Sequence, residues 1–130
     1  LPPTLLLAML KAESDLKPDN PRQAEWPDWS QGLCQMTVQT AATYGIGDGT
    51  MRSWPIVERA LADRELAIDL GARHLRGCYD RADGDWLQAL IVYNSGSLHP
   101  QGDWYWSKWG ANIRRYQDAI KWAVEVIGYG

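Results

Sequence analysis

Residues 6–15 read LLAMLKAESD, and this stretch decides the expected fold because its apolar side chains repeat with a helical period. Four side chains fall at positions i, i+3, i+4 and i+7, so a helix places them on one face. They are Leu6, Met9, Leu10 and Glu13. This face is apolar until its last turn, where it presents a carboxyl group.

Glu13 is therefore a candidate general acid. Burial disfavours the charged form of a carboxyl group, so we expect the pKa of Glu13 to be raised. Such a group holds a proton near neutral pH and can deliver it to a leaving group. The alternative is a glutamate that points into solvent at a frayed helix end.

The composition is that of a globular domain. The chain has 130 residues, of which 45% are hydrophobic and 22% charged, so it can bury a core and does not have the composition of a disordered or membrane protein. The formal charge of −3, with Arg114-Arg115 as the closest approach to a basic cluster, argues against nucleic-acid binding. The 8 Trp and 6 Tyr residues, with no Phe, give every aromatic ring a polar edge, which suits saccharide-binding grooves.

The hydrophobic pattern predicts an all-α fold without strands. The first helix ends near Ser14, and residues 17–31 are rich in proline and predicted to form a functional or clamped loop. Thr37 is predicted to cap a short helix, and Pro55 opens the next. The residues predicted to face inward in that next helix are Ile56, Val57, Ala60 and Leu61.

The clearest buried stripe follows in the next helix. It consists of Ala67, Leu70, Gly71, His74, Leu75 and Cys78. No second His or Cys lies at ligand spacing, so His74 is expected to be a hydrogen-bonded core residue rather than a metal ligand, and His99 stands alone in a loop. We expect Cys34 and Cys78 to be buried thiols, with a single disulfide as the alternative.

Two further helices are predicted, separated by an aromatic segment over residues 98–110 that forms a loop or a short helix. The last helix runs from about Asn112 to near Gly128. Its predicted inner face consists of Ile113, Tyr116, Ile120, Val124 and Ile127. Trp86 and Trp122 lie at helical positions and are expected to pack. The tryptophans expected to offer surfaces for ring stacking are Trp26, Trp29, Trp104, Trp106 and Trp109.

Three separated motifs occur in a fixed order. They are Ala12-Glu13-Ser14, then Gly32-Leu33-Cys34-Gln35-Met36 followed by Thr40-Ala41-Ala42, and then Ala89-Leu90-Ile91-Val92-Tyr93-Asn94-Ser95-Gly96. In this order they resemble the soluble lytic transglycosylases of the lysozyme-like superfamily. The resemblance implies one helical lysozyme-like domain over residues 1–130, with a glycan cleft between two lobes. The chain departs from the family pattern at Val38, Ala67 and Asn112-Ile113.

The resemblance also implies a role for each matching residue. Glu13 matches the single catalytic acid/base, and Ser14 matches the residue beside it. The matching substrate-binding residues are Ser14, Gln35, Met36, Tyr93, Asn94 and Tyr116. The implied reaction cleaves the β-1,4 bond between N-acetylmuramic acid (MurNAc) and N-acetylglucosamine (GlcNAc) in peptidoglycan and forms 1,6-anhydroMurNAc. It requires no metal and no organic cofactor.

Two other functions stay open at this point. A hydrolase similar to goose-type lysozymes would need a second carboxylate, for which Asp15, Glu25 and Asp28 are the candidates. A glycan-binding module without turnover would use the tryptophans alone. In each case we expect a monomer that acts on peptidoglycan strands outside the cytoplasm, in the periplasm, at the cell surface or on a phage virion. We expect no membrane insertion, since no apolar run spans a bilayer.

Overall fold

The computed structural model describes residues 1–17, 29–30 and 32–129, and within these residues the fold is all-α and has no strand. The predicted fold class is therefore confirmed. In chain order the helices are α1 (Pro3–Ser14), α2 (Val38–Thr43), α3 (Trp54–Leu61), α4 (Arg64–Arg81), α5 (Trp86–Ser95), α6 (Trp104–Lys108) and α7 (Gly110–Ile127). A single 3-10 turn, Met51–Ser53, precedes α3. None of the helices in the described residues is long and apolar enough to cross a membrane.

The first helix is covered on nearly every side. From Thr4 to Ser14 each residue of α1 is buried or half-buried. The predicted stripe is therefore only part of the buried surface: Leu5 and Ala8 are fully buried, whereas Leu6 is only half-buried. A helix that carries apolar side chains all around packs inside a domain rather than along its edge.

The chain divides into two compact units. We call Leu1–Ala12 with Ala72–Gly130 the terminal unit and Glu13–Gly71 the middle unit. In the terminal unit, small residues let α1 and α7 pack closely. Their buried cluster consists of Ala8, Ala119 and Ala123, with Leu7, Ala12, Ile120 and Trp122 packed against it. The ammonium group of Lys11 lies 5.0 Å from the Trp122 ring centroid, which confirms that Trp122 is a packing residue.

Helix α5 supplies much of the core of the terminal unit. Its residues from Ala89 to Val92 are at most 1% exposed. The Asp85 side chain accepts a hydrogen bond from the Gln88 N–H and so caps the helix start. Gly96 ends the helix with a φ of 82°, a left-handed conformation that glycine adopts without steric cost. The Tyr93-Asn94 pair thus lies in the last turn of a rigid helix.

The middle unit contains α2 and α3. The Thr37 side chain accepts a hydrogen bond from the Thr40 N–H, so the predicted cap is confirmed. Val57 and Leu61 of α3 are buried as predicted, but Ile56 is 59% exposed, so its predicted inward position is wrong. Trp54 takes the inward position instead, at 5% exposure.

In the last helix, the residues predicted to face inward are buried near its start but not at its end. Tyr116 is fully buried, whereas Ile127 is 49% exposed. Small side chains take the remaining buried positions of α7, because Ala119 and Ala123 face the core. Cys34 and Cys78 are both buried thiols, as expected. Burial raises the pKa of the Cys78 thiol to about 11 and so makes it unreactive at neutral pH.

Candidate active site

The predicted acid lies in the last turn of α1. Glu13 is half-buried, and Ser14 beside it is 3% exposed. The helix ends directly afterwards because Asp15 and Leu16 adopt left-handed conformations, with φ of 53° and 62°. Such a conformation costs a non-glycine residue about 1–2 kcal/mol, and strain of this kind is concentrated at functional sites. The Lys17 N–H donates to the Ser14 carbonyl at 3.0 Å, so a hydrogen-bonded turn follows the helix end.

The second motif forms a tight turn in the middle unit. A Cβ atom on Gly32 would lie 3.2 Å from the Leu61 carbonyl oxygen, and the φ of Gly32 is 83°, so the turn requires glycine. Gln35 has a φ of 48°, which is rare for a residue with a side chain. Its amide Nε2 donates to the Gly32 carbonyl at 2.9 Å, and its Oε1 accepts from the Ser30 hydroxyl at 3.0 Å. The Gln35 side chain therefore stabilises the turn through two hydrogen bonds.

Met36 follows in the same turn and is 2% exposed. Little of its side chain is therefore accessible to a ligand. Its predicted contact with a glycan stays a prediction, as does that of Gln35.

The third motif places Asn94 beside the aromatic segment of the terminal unit. The Tyr105 hydroxyl donates a hydrogen bond to Asn94 Oδ1 at 3.0 Å. Tyr105 is 2% exposed, and the His99 ring stacks on it with centroids 4.7 Å apart and an interplanar angle of 20°. Asn94 itself is exposed, so its amide is held in one orientation while its surface stays accessible.

His99 lies in a loop, as predicted, but it does not stand alone there. Its Nδ1 lies 3.0 Å from Asp103 Oδ1, which also accepts from the Tyr105 N–H at 3.0 Å. The hydrogen bonds from Tyr105 and His99 hold the pKa of Asp103 below its ordinary value. The His99 carbonyl accepts from Gln88 Nε2 at 2.9 Å and from the indole N–H of Trp106. An aspartate directly before a helical segment is the sequence signal that could have revealed part of this network, because Asp103 caps α6; its pairing with His99 depends on the fold.

A cavity of about 480 Å³ opens along this segment within the terminal unit. It is lined by Asn94, Ser95, Ser97, His99, Trp104, Tyr105, Trp109 and Asn112. Trp104 and Trp109 are 57% and 42% exposed, so both indole rings offer surface to a ligand. The Lys108 ammonium lies 5.6 Å and 5.7 Å from their respective centroids. Flat apolar faces with a few amides and hydroxyls are typical of sites for small polar ligands such as sugars.

Tyr93 lies one residue before Asn94 and contacts the predicted core histidine. The rings of His74 and Tyr93 meet edge to face, with centroids 5.1 Å apart and an interplanar angle of 60°. Burial lowers the pKa of His74, and the positive charge of Arg81 lowers it further. A neutral His74 ring therefore packs beside Tyr93 at physiological pH.

This lowered pKa makes stability depend on pH. Below the ordinary His pKa of 6.5, the unfolded chain binds a proton that the folded chain resists, so the free energy of unfolding should fall as the pH is lowered from 6.5. We expect His74→Gln to flatten this slope between neutral pH and about pH 5 in urea titrations. The lowered pKa values of Asp48 and Asp103 affect stability in a different pH range. Their contribution to the free energy of unfolding is lost only as the pH falls through and below 3.8. An unchanged slope in the variant would show that His74 is not the responsible group.

Tyr116 lies in α7 and is fully buried. The guanidinium group of Arg115 lies 5.1 Å from its ring centroid, and Arg115 donates a hydrogen bond to its hydroxyl at 3.3 Å. This hydroxyl therefore has a polar partner although the ring is in the core, as buried tyrosines usually require.

The remaining predicted candidates have different positions. Asp15 is exposed and lies beyond the end of α1. Glu25, Asp28 and Trp26 lie outside the described residues, as does most of the predicted proline-rich loop. Trp29 is half-buried, and its ring meets that of Trp54 edge to face at 5.7 Å. In the part of the chain that the structure describes, no cluster of three or more His, Cys, Asp or Glu side chains could hold a metal ion.

Comparison with known families assigns the chain to a class. The family described as the Transglycosylase SLT domain matches residues 1–109. Searches of curated proteins and of solved structures gave no significant match.

The match covers most of the chain, and the chain therefore belongs to the transglycosylase SLT domain family. This membership confirms the predicted resemblance and gives the chain, in general terms, the function of a lytic transglycosylase acting on peptidoglycan. The matched range contains every predicted site residue except Tyr116.

Proposed function

We propose that this domain is a peptidoglycan lytic transglycosylase in which Glu13 is the single catalytic acid/base. It cleaves the β-1,4 bond between MurNAc and GlcNAc and leaves a 1,6-anhydroMurNAc end. Its substrate is the glycan strand of the cell wall, so it acts outside the cytoplasm.

The observation that carries this proposal is the position of Glu13 within the family match. Glu13 lies in the matched range and in the last turn of α1, is half-buried, and is followed by a hydrogen-bonded turn. These features suit a group that starts the reaction as an acid.

In the first step, Glu13 protonates the glycosidic oxygen while the bond from that oxygen to C1 of MurNAc breaks. The GlcNAc part leaves with a C4 hydroxyl group. The acetamido oxygen of the MurNAc residue stabilises the positive charge that develops at C1, so no second carboxylate is needed as a nucleophile.

In the second step, the Glu13 carboxylate removes the proton from the C6 hydroxyl of the same MurNAc residue. The C6 oxygen forms a bond to C1 and closes the 1,6-anhydro ring. Glu13 is protonated again, and no water is consumed. One residue therefore serves first as acid and then as base.

The other predicted residues bind the substrate or support the site. Asn94 offers an exposed amide to the sugar, Tyr93 contributes a phenol group with its ring packed beside neutral His74, and Gln35 acts through the turn that its amide stabilises. The remaining three residues are at most 3% exposed, so they position their neighbours rather than contact the glycan; they are Ser14, Met36 and Tyr116.

The competing reaction is hydrolysis, which would use water in place of the C6 hydroxyl. It is tested by incubating the full chain with purified peptidoglycan and measuring released glycan together with new reducing ends. Anhydro products have no reducing end, so we expect soluble glycan without a matching rise in reducing ends. One new reducing end for each released fragment would instead identify a hydrolase, and Glu25 and Asp28 would be the next residues to substitute.

A further inference from the structure

The cavity beside Asn94 is built by an ordered segment. His99 receives hydrogen bonds on its carbonyl from two side chains and pairs with Asp103, which also caps α6. The buried Tyr105 lies under the His99 ring and holds Asn94. These contacts fix the part of the cavity around Asn94, and a group that is already oriented loses little conformational entropy when a ligand binds.

The chemistry of the lining points to a sugar. Trp104 and Trp109 expose flat indole faces, whereas Asn94 and Asn112 supply amides and Ser97 supplies a hydroxyl. The volume of about 480 Å³ lies within the range of small-molecule sites. A pyranose ring has an apolar face for stacking and polar groups around its edge, so it complements both parts of this lining.

We propose that this cavity is a saccharide-binding subsite for a β-1,4-linked N-acetylhexosamine, with Trp104 and Trp109 as its stacking surfaces. Tyr105 is a positioning residue that orients the Asn94 amide toward the ring. The choice of an N-acetylated sugar rests on the proposed function, whereas stacking on the two indoles rests on the cavity itself.

The subsite is tested by measuring chitotetraose binding calorimetrically, with Glu13→Gln as the background to prevent turnover. We expect Trp104→Ala and Trp109→Ala each to raise the Kd by roughly tenfold, as for the loss of an aromatic anchor at a binding site. Trp104→Tyr and Trp109→Tyr keep an aromatic face and should retain most of the affinity. Tyr105→Phe removes only the hydrogen bond to Asn94 and should weaken binding a few-fold.

Urea unfolding of each variant separates lost binding from lost folding. An unchanged affinity in both alanine variants, or the absence of saturable chitotetraose binding at millimolar concentration, would overturn the subsite. If tryptophan-dependent binding is found but the native protein releases no glycan from peptidoglycan, the proposed function fails and the subsite stands. If the native protein is active but its affinity does not depend on either tryptophan, the subsite fails and the function stands.

Discussion

Replacing Glu13 by Gln should reduce the release of glycan from peptidoglycan by about 10²- to 10⁴-fold, the range typical of general acid–base catalysis. The amide keeps the size and hydrogen-bonding reach of the side chain, but it neither donates the proton that the leaving oxygen needs nor accepts one from the C6 hydroxyl. Both proposed steps are therefore lost together. The measurement is the initial rate of soluble muropeptide release from purified peptidoglycan.

The matched control is Glu125→Gln, which makes the same chemical change at an exposed position of α7. Its rate should equal that of the native protein. Chitotetraose binding by Glu13→Gln should also persist, because substrate contacts remain. A Glu13→Gln variant that retains native activity would contradict the assigned role of this residue.

The second large effect concerns stability. Ile91→Ala should lower the free energy of unfolding by about 2–5 kcal/mol, because it removes a fully buried side chain from α5 and leaves a cavity. Ile56→Ala makes the same substitution at a position that is 59% exposed, and it should change stability by at most about 0.5 kcal/mol. Urea unfolding monitored by circular dichroism measures both values.

This pair of variants also tests the corrected orientation of α3. If Ile56 faced inward, as its sequence pattern predicts, Ile56→Ala would cost as much as Ile91→Ala. Equal losses in the two variants would therefore contradict the fold described here, whereas a large difference would support it.

Local signals were sufficient to predict much of the helical framework. Thr37 caps α2 because a threonine side chain satisfies an unpaired N–H at a helix start, and this depends only on neighbouring residues. The stripe from Ala67 to Cys78 extends over several turns. Because its apolar residues repeat over this length, only one face of the helix can be the buried one. Its most apolar members are 3% exposed or less.

The buried face was harder to predict from the sequence for helices that are short or carry many apolar residues. In α3, Ile56 and Trp54 lie on different sides, and a helix of 8 residues is too short for periodicity to decide which one is buried. In α7, the closely packed face uses Ala119 and Ala123 rather than Ile127. The sequence shows how apolar a residue is, but it does not show which neighbour approaches it.

Some parts of the candidate site could likewise be predicted from the sequence, and others could not. The order of the three motifs was sufficient to predict the family, whereas the catalytic role of Glu13 stays a proposal. The cavity, by contrast, depends on contacts between side chains, such as the Tyr105 hydrogen bond to Asn94 and the stacking of His99. These contacts exist only once α5 and α6 are placed, so the pairing of His99 with Asp103 could not be predicted from the sequence alone.

In the proposed reaction, the C6 hydroxyl of the same MurNAc residue replaces water as the attacking group. The most direct test is the mass spectrum of muropeptides that the native protein releases from peptidoglycan in water enriched with heavy oxygen. We expect products that are lighter than hydrolytic muropeptides by one water and carry no heavy oxygen. Reducing-end products that carry heavy oxygen at C1 would contradict it and would make the domain a hydrolase.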